Sequence, residues 1–181
     1  RREAVLGVAG VLDDVVVAAG LEFFPATGET PAGSHHTPEE PLTTTVYGLA
    51  PGDGAVLWRR AFDGVADVAV APGSVYVAAH EELVGLDAAG STRFTYGAGS
   101  PLGVRATGDR VYHLAGDHDS ATLHGVAPDG GADWTHDLPV VDVLLVGDRL
   151  YAGGDVVLAV EPDGTVAWTD DAHGRWPMTD P

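Results

Sequence analysis

Residues 65–79 read VADVAVAPGSVYVAA, and the chain says nearly the same thing four times. That stretch lines up without a gap on VLGVAGVLDDVVVAA (Val5 to Ala19), on GVRATGDRVYHL (Gly103 to Leu114) and on DVLLVGDRLYAG (Asp142 to Gly153). Each copy continues through a second apolar run to a glycine with an aromatic four residues later: Gly54 and Trp58, Gly90 and Phe94, Gly130 and Trp134, Gly164 and Trp168. The aromatics recur at intervals of 36, 40 and 34 residues. Self-similarity at this period is the mark of stacked supersecondary units.

The unit itself is β. In the second copy, Val65–Ala71 and Val75–Ala79 are short apolar runs separated by Pro72-Gly73, and Leu83–Asp87 and Thr92–Tyr96 follow with Ala89-Gly90 between them. The third and fourth copies place Gly108-Asp109 and Gly147-Asp148 in the first turn, and Pro128-Asp129-Gly130 and Pro162-Asp163-Gly164 in the second. Asp-Gly suits a tight hairpin because glycine accepts φ > 0 without steric cost. No window carries a helical period over ten residues or more. Four four-stranded antiparallel units spaced in this way predict an all-β fold, a β-propeller of four blades, either on its own or as part of a larger ring. A two-sheet sandwich would also use many short strands, but it does not explain one aromatic recurring at one place in every unit. The expected blades are residues 4–62, 65–97, 102–138 and 141–170 of a single domain, 1–181.

The four segments VYGLAPGDGAVLW, LVGLDAAGSTRF, LHGVAPDGGADW and VLAVEPDGTVAW resemble the tryptophan-docking repeats of quinoprotein-type, or PQQ-like, propellers. The resemblance spans roughly residues 4–170. It implies that Trp58, Trp134 and Trp168, with Phe94 as substitute in the second blade, pack between neighbouring blades and are largely buried. The family pattern has Thr before the glycine. Here Asp53, Ala89, Asp129 and Asp163 stand in that place, and the acidic position is kept as Asp87 and Glu161 but is Ala127 in the third copy. The family's dehydrogenases hold a quinone with calcium through a cysteine pair and an asparagine. This chain contains neither residue type, so the resemblance implies no such cofactor here.

Net charge is −18, from 27 acids against nine bases, all arginine; Lys, Ile, Asn, Gln and Cys are missing. A dense acidic surface without Lys points to a salt-loving source, where carboxylates keep the surface hydrated and salt screens their repulsion. It excludes the counterion-displacing basic face that nucleic acid requires and attraction to an anionic membrane. No apolar run approaches the ~20 residues of a membrane-spanning helix. Without cysteine there is no disulfide, thiolate nucleophile or Cys-ligated metal. Arg1 and Arg2 before an apolar run look like a twin-arginine signal, but Asp13 and Asp14 interrupt it early and the segment aligns with the repeat, so it reads as the first strand.

An insertion, Leu21 to Pro41, carries four Pro, four Glu and adjacent His35 and His36. A loop this long in a tight fold is functional or disordered. The loops between second and third strands should emerge on one face, bringing His35, His36, His80, Glu81, Glu82, Asp117, His118 and Asp119 there. His80, Glu82, His118 and Asp119 are the candidate ligands for a divalent metal. The competing reading is solvated polar residues in the loops of an acidic protein. No serine sits in a Gly-x-Ser-x-Gly context, and no glycine-rich loop opens a helix. No catalytic residue is therefore assigned.

The expected role is a non-catalytic binding or assembly module, with a protein partner or a second copy and no nucleic acid. Outer-membrane assembly lipoproteins and extracellular domains among the resembled family favour an extracytoplasmic setting. The alternatives are a metal-assisted enzyme on the loop-bearing face and a purely structural array. No strand is left over to join the first and last blades, and the tail from Asp170, despite Trp176, is a poor closing strand. Residues 4–20 and 156–169 are thus expected to be edges that meet another chain or further blades, with the insertion as a contact element.

Overall fold

A computed structural model describes residues 4–22, 43–117, 120–138, 140–154 and 156–171. Every regular element among them is a strand. Blade 1 comprises β1 (Ala4–Leu12), β2 (Val15–Glu22), β3 (Thr43–Leu49) and β4 (Val56–Asp63). Blade 2 comprises β5 (Val65–Ala71), β6 (Ser74–Ala79), β7 (Glu82–Leu86) and β8 (Thr92–Gly97). Blade 3 comprises β9 (Pro101–Ala106), β10 (Val111–Gly116), β11 (Ala121–Val126) and β12 (Ala132–Leu138). Blade 4 comprises β13 (Val140–Val146), β14 (Arg149–Gly154), β15 (Val156–Val160) and β16 (Val166–Asp171). Each blade is one antiparallel sheet in chain order. The fold is a four-blade β-propeller arrangement.

The outer turns show why aspartate replaces the family's threonine. Asp53, Asp129 and Asp163 each accept the backbone N–H two residues on, from Ala55 at 3.0 Å, Gly131 at 3.1 Å and Thr165 at 2.9 Å. A side-chain oxygen thus closes the turn that the following glycine's positive φ opens. In blade 2, where Ala89 precedes the glycine, Asp87 takes over by accepting from Ala89 and Ser91.

The blades are held together by three apolar cores, one per neighbouring pair. Leu12, Val17 and Val46 of blade 1 pack with Val75, Val77 and Leu86 of blade 2. Tyr76, Ala78 and Leu83 of blade 2 pack with Val104, Val111 and Val126 of blade 3. Tyr112, Leu114 and Leu123 of blade 3 pack with Val143, Leu150 and Val160 of blade 4. The first strands form the inner line: β1 lies on β5, β5 on β9, and β9 on β13. No comparable packing joins β13 to β1 among the described residues.

Two expectations are corrected. The ungapped alignment of Val65–Ala79 on Val5–Ala19 is out of register by one. Tyr76 lies across from Gly85, which lies across from Phe94; the matching row in blade 1 is Val17, Gly48 and Trp58. Tyr76 therefore corresponds to Val17, not Val16. Because side chains alternate across a strand, that single step exchanges the two faces of the blade. The insertion also starts later than Leu21, since β2 stays paired with β1 through Glu22. His35 and His36, His118 and Asp119, and Trp176 lie outside the described residues.

Candidate functional site

The repeated aromatics sit in a constant local frame. Trp58, Phe94 and Trp134 lie directly across from Gly48, Gly85 and Gly125 of their own blades. Each ring occupies the space a side chain there would need: a Cβ on these glycines would fall 2.2, 2.4 and 2.1 Å from ring atoms. On its other side each ring meets the turn glycine of the next blade. A Cβ on Gly90 would lie 2.6 Å from Trp58, one on Gly130 2.5 Å from Phe94, and one on Gly164 2.5 Å from Trp134. Two of these contacts carry a hydrogen bond, Trp58 Nε1 to the Ala88 carbonyl at 2.8 Å and Trp134 Nε1 to the Pro162 carbonyl at 3.2 Å. Glycine is required at the three turns twice over, by positive φ and by the ring lying against it.

The residue two places after the aromatic reinforces the joint. Arg60 donates to the Gly90 carbonyl and to Thr92 Oγ1. His136 Nε2 is 2.7 Å from the Gly164 carbonyl. Tyr96 OH is 3.0 Å from His124 Nδ1 across the joint between blades 2 and 3.

Trp168 breaks the series. Its ring keeps the pose of Trp134: it is 6.0 Å from Tyr151 at 51°, as Trp134 is 6.1 Å from Tyr112 at 51°. Yet it is 43% exposed, and no further turn glycine covers it among the described residues. This corrects the expectation that all four aromatics are largely buried; the other three are half-buried and Trp168 is on the surface. The glycine on its own blade is also replaced, by the fully buried Ala159. The reverse holds at the other end. Gly54 has the same positive φ as the receiving turns, 71°, but nothing among the described residues approaches its Cβ position.

Both end blades consequently present apolar faces. In blade 1 the row Val11–Val16–Leu49–Val56 is the counterpart of Val70–Val75–Leu86–Thr92; Val75 and Leu86 are fully buried and Val70 half-buried, whereas Val16 and Leu49 are only half-buried and Val11 is 63% exposed. Blade 4 presents Leu144, Val146 and Trp168 around Tyr151. Asp13 and Asp14 in the β1–β2 turn, Asp148 in the β13–β14 turn and Asp170 on β16 are exposed.

Of the metal candidates, His80 and Glu82 line one shallow open depression with Asp63 and Phe62. No group of three or more ligating side chains forms among the described residues. The structure does not describe His118 or Asp119.

A histidine pair that sequence reading passed over lies in the core of blade 3. His113 is fully buried, directly across from His124, with ring centroids 6.1 Å apart. Burial, reinforced by His124, lowers the His113 pKa to about 4; the Gly103 carbonyl opposes this weakly, and neither ring nitrogen of His113 has a hydrogen-bond partner of good geometry. Burial also lowers the pKa of His124, with the Asp137 charge opposing. The only sequence sign was position: each histidine sits within a strand, not in a loop.

A family model described as outer membrane protein assembly factor BamB matches residues 43–176. The chain belongs to the PQQ-like repeat family. No curated protein matches this PQQ-like repeat chain. Among solved structures it is similar to BBS1N, crystallised in complex with ARL6DN, at TM-score 0.55 and 14% identity over 93% of this chain and 65% of that one. It is also similar to HIRA(644-1017), at TM-score 0.53 and 12% identity over 89% of this chain and 54% of that one. The AfRom2 CNH domain matches at TM-score 0.51 and 8% identity over 93% of this chain and 54% of that one. At such identity these likenesses concern the fold alone. The PQQ-like chain spans about half to two thirds of the length of these structures.

Proposed function

We propose that the chain is a non-catalytic binding or assembly module whose contact surfaces are the two end faces of its blade array. The observation that carries this reading is the pair of apolar faces left exposed among the described residues, Val11 on blade 1 and Leu144 with Val146 and Trp168 on blade 4. Faces of the same kind are buried between blades everywhere else. Exposed apolar side chains grouped on one face mark a protein contact site. The family description, an outer membrane protein assembly factor, agrees with an assembly role and with an extracytoplasmic setting. The −18 charge supports a salt-rich environment in which such faces stay soluble as long as they are unoccupied.

The test is affinity capture from extract of the source cells, with wild type and the double variant Val11→Asp/Leu144→Asp. Wild type should retain at least one protein other than the chain itself, and the variant should lose it while keeping the β circular-dichroism spectrum. Capture of nothing, or equal capture by both, rejects the reading.

A further inference from the structure

We infer that His113 and His124 of blade 3 are the two ligands of a buried monovalent copper site, with Tyr96 of blade 2 as the residue that orients His124. The inference goes beyond the binding-module reading and uses none of its contact faces.

The pair stands where the repeat elsewhere places apolar residues. One cross-strand row runs Val68–Val77–Val84–Thr95 in blade 2 and Val143–Ala152–Leu158–Thr169 in blade 4. The same row in blade 3 runs Val104–His113–His124–Thr135. The ends are unchanged, and only the two inner positions are imidazoles. The joint they enter is apolar, with Ala78, Leu83, Val104 and Val126 in its core. Both ring nitrogens of His113 and Nε2 of His124 are buried there without a hydrogen-bond partner. A buried polar group without a partner costs stability, and Val77 and Val84 fill the same two places in blade 2 without that cost. An ion that takes up the bare nitrogens removes it.

The geometry suits one ion between two rings. Directly opposed residues on adjacent strands project from one face of a sheet, and the two ring centroids are 6.1 Å apart. Metal–imidazole bonds of about 2 Å, added to the rings' own radii, span that gap. A ligating imidazole gives its other N–H to an oxygen, which fixes the tautomer. His124 has that oxygen, since Tyr96 OH lies 3.0 Å from Nδ1. When Nδ1–H donates to Tyr96, the lone pair is left on Nε2, the bare nitrogen. For His113 the Gly103 carbonyl is the nearby acceptor.

The ligand set selects the ion. Imidazole suits the late first-row metals. No group of three His, Cys, Asp or Glu side chains gathers among the described residues, so an ion here has two protein nitrogens. Zn(II) takes four ligands. Cu(I) is satisfied by two and carries a single charge into an apolar site. The Asp137 carboxylate, which acts on His124, and the −18 of the chain offset that charge.

The experiment is an anaerobic titration of the full chain with Cu(I) against a chromophoric Cu(I) chelator, followed by copper X-ray absorption. One Cu(I) per chain is expected, held by two nitrogens. His113→Val/His124→Val copies the row of blade 2, so it should fold, and it should lose that Cu(I). Tyr96→Phe keeps the ring and removes the oxygen. Its affinity should fall by roughly 10–100-fold, as when a ligating histidine loses its hydrogen-bond partner. Cu(I) should raise the melting temperature of the wild type and leave that of the double variant unchanged. No Cu(I) on the wild type overturns the inference. Cu(I) retained by the double variant also overturns it, because the ion then sits on other histidines such as His35 and His36. Affinity indifferent to Tyr96→Phe overturns the role of Tyr96, and displacement of Cu(I) by equimolar Zn(II) overturns the choice of ion. Neither variant touches the end faces, so failure here leaves the binding-module reading standing.

Discussion

Trp134 of blade 3 lies against Gly164 of blade 4 so closely that a Cβ on the glycine would fall 2.5 Å from the indole. That contact, its hydrogen bond to Pro162 and the Tyr112 hydroxyl donating to the Asp148 carbonyl tie the last two blades together.

Gly164→Ala should be costly for two reasons. Alanine at φ 87° is strained, by ~1–3 kcal/mol, and its methyl group overlaps the Trp134 ring, adding ~1–3 kcal/mol of overpacking. Gly54→Ala bears only the backbone strain, because its Cβ position is open. Denaturant midpoints of the two variants should separate, with Gly164→Ala the less stable; equal losses would mean that the ring contact contributes nothing.

Trp134→Ala should destabilise by ~3 kcal/mol, the low end for truncating a large aromatic in a packed site, because the indole is half-buried between blades. Trp168→Ala should cost the single chain well under ~1 kcal/mol, as an exposed substitution does. Urea unfolding in low salt checks both.

Acid should unfold blade 3 early. The His113 pKa is lowered in the folded state to about 4 from an ordinary 6.5, so the folded state resists a proton that the unfolded chain accepts. The stability it permits is complete above about pH 6.5 and falls progressively toward pH 4, by up to about 3 kcal/mol. His124, also lowered, acts in the same direction, with Asp137 opposing. His113→Phe should flatten the stability curve between pH 6.5 and 4. A curve of unchanged slope over that window refutes the assignment.

Thermal melts should show a higher melting temperature in about 2 M KCl than in low salt, since screening relieves the self-repulsion of −18 charges. No increase would remove the argument for a salt-adapted protein.

Local chemistry made the strands and their grouping legible from sequence. The Asp-Gly turns, the short apolar runs and the glycine–aromatic spacing each act within a few residues, so they read directly as four four-stranded sheets. The aromatics' recurrence also pointed to an equivalent place in each blade. Register was not legible in blade 1: Val15, Val16 and Val17 are chemically alike, and only the cross-strand row Val17–Gly48–Trp58 shows which of them faces blade 2. Nor was the buried partnership of His113 with His124 visible, since it arises between strands that side-chain chemistry alone would leave in water. The exposure of Trp168 is the clearest case. Its residue type and spacing are those of Trp134, and its ring sits in the same pose. What differs is whether another blade stands beside it, and burial of one blade's face is a property of its neighbour, which only the tertiary arrangement decides.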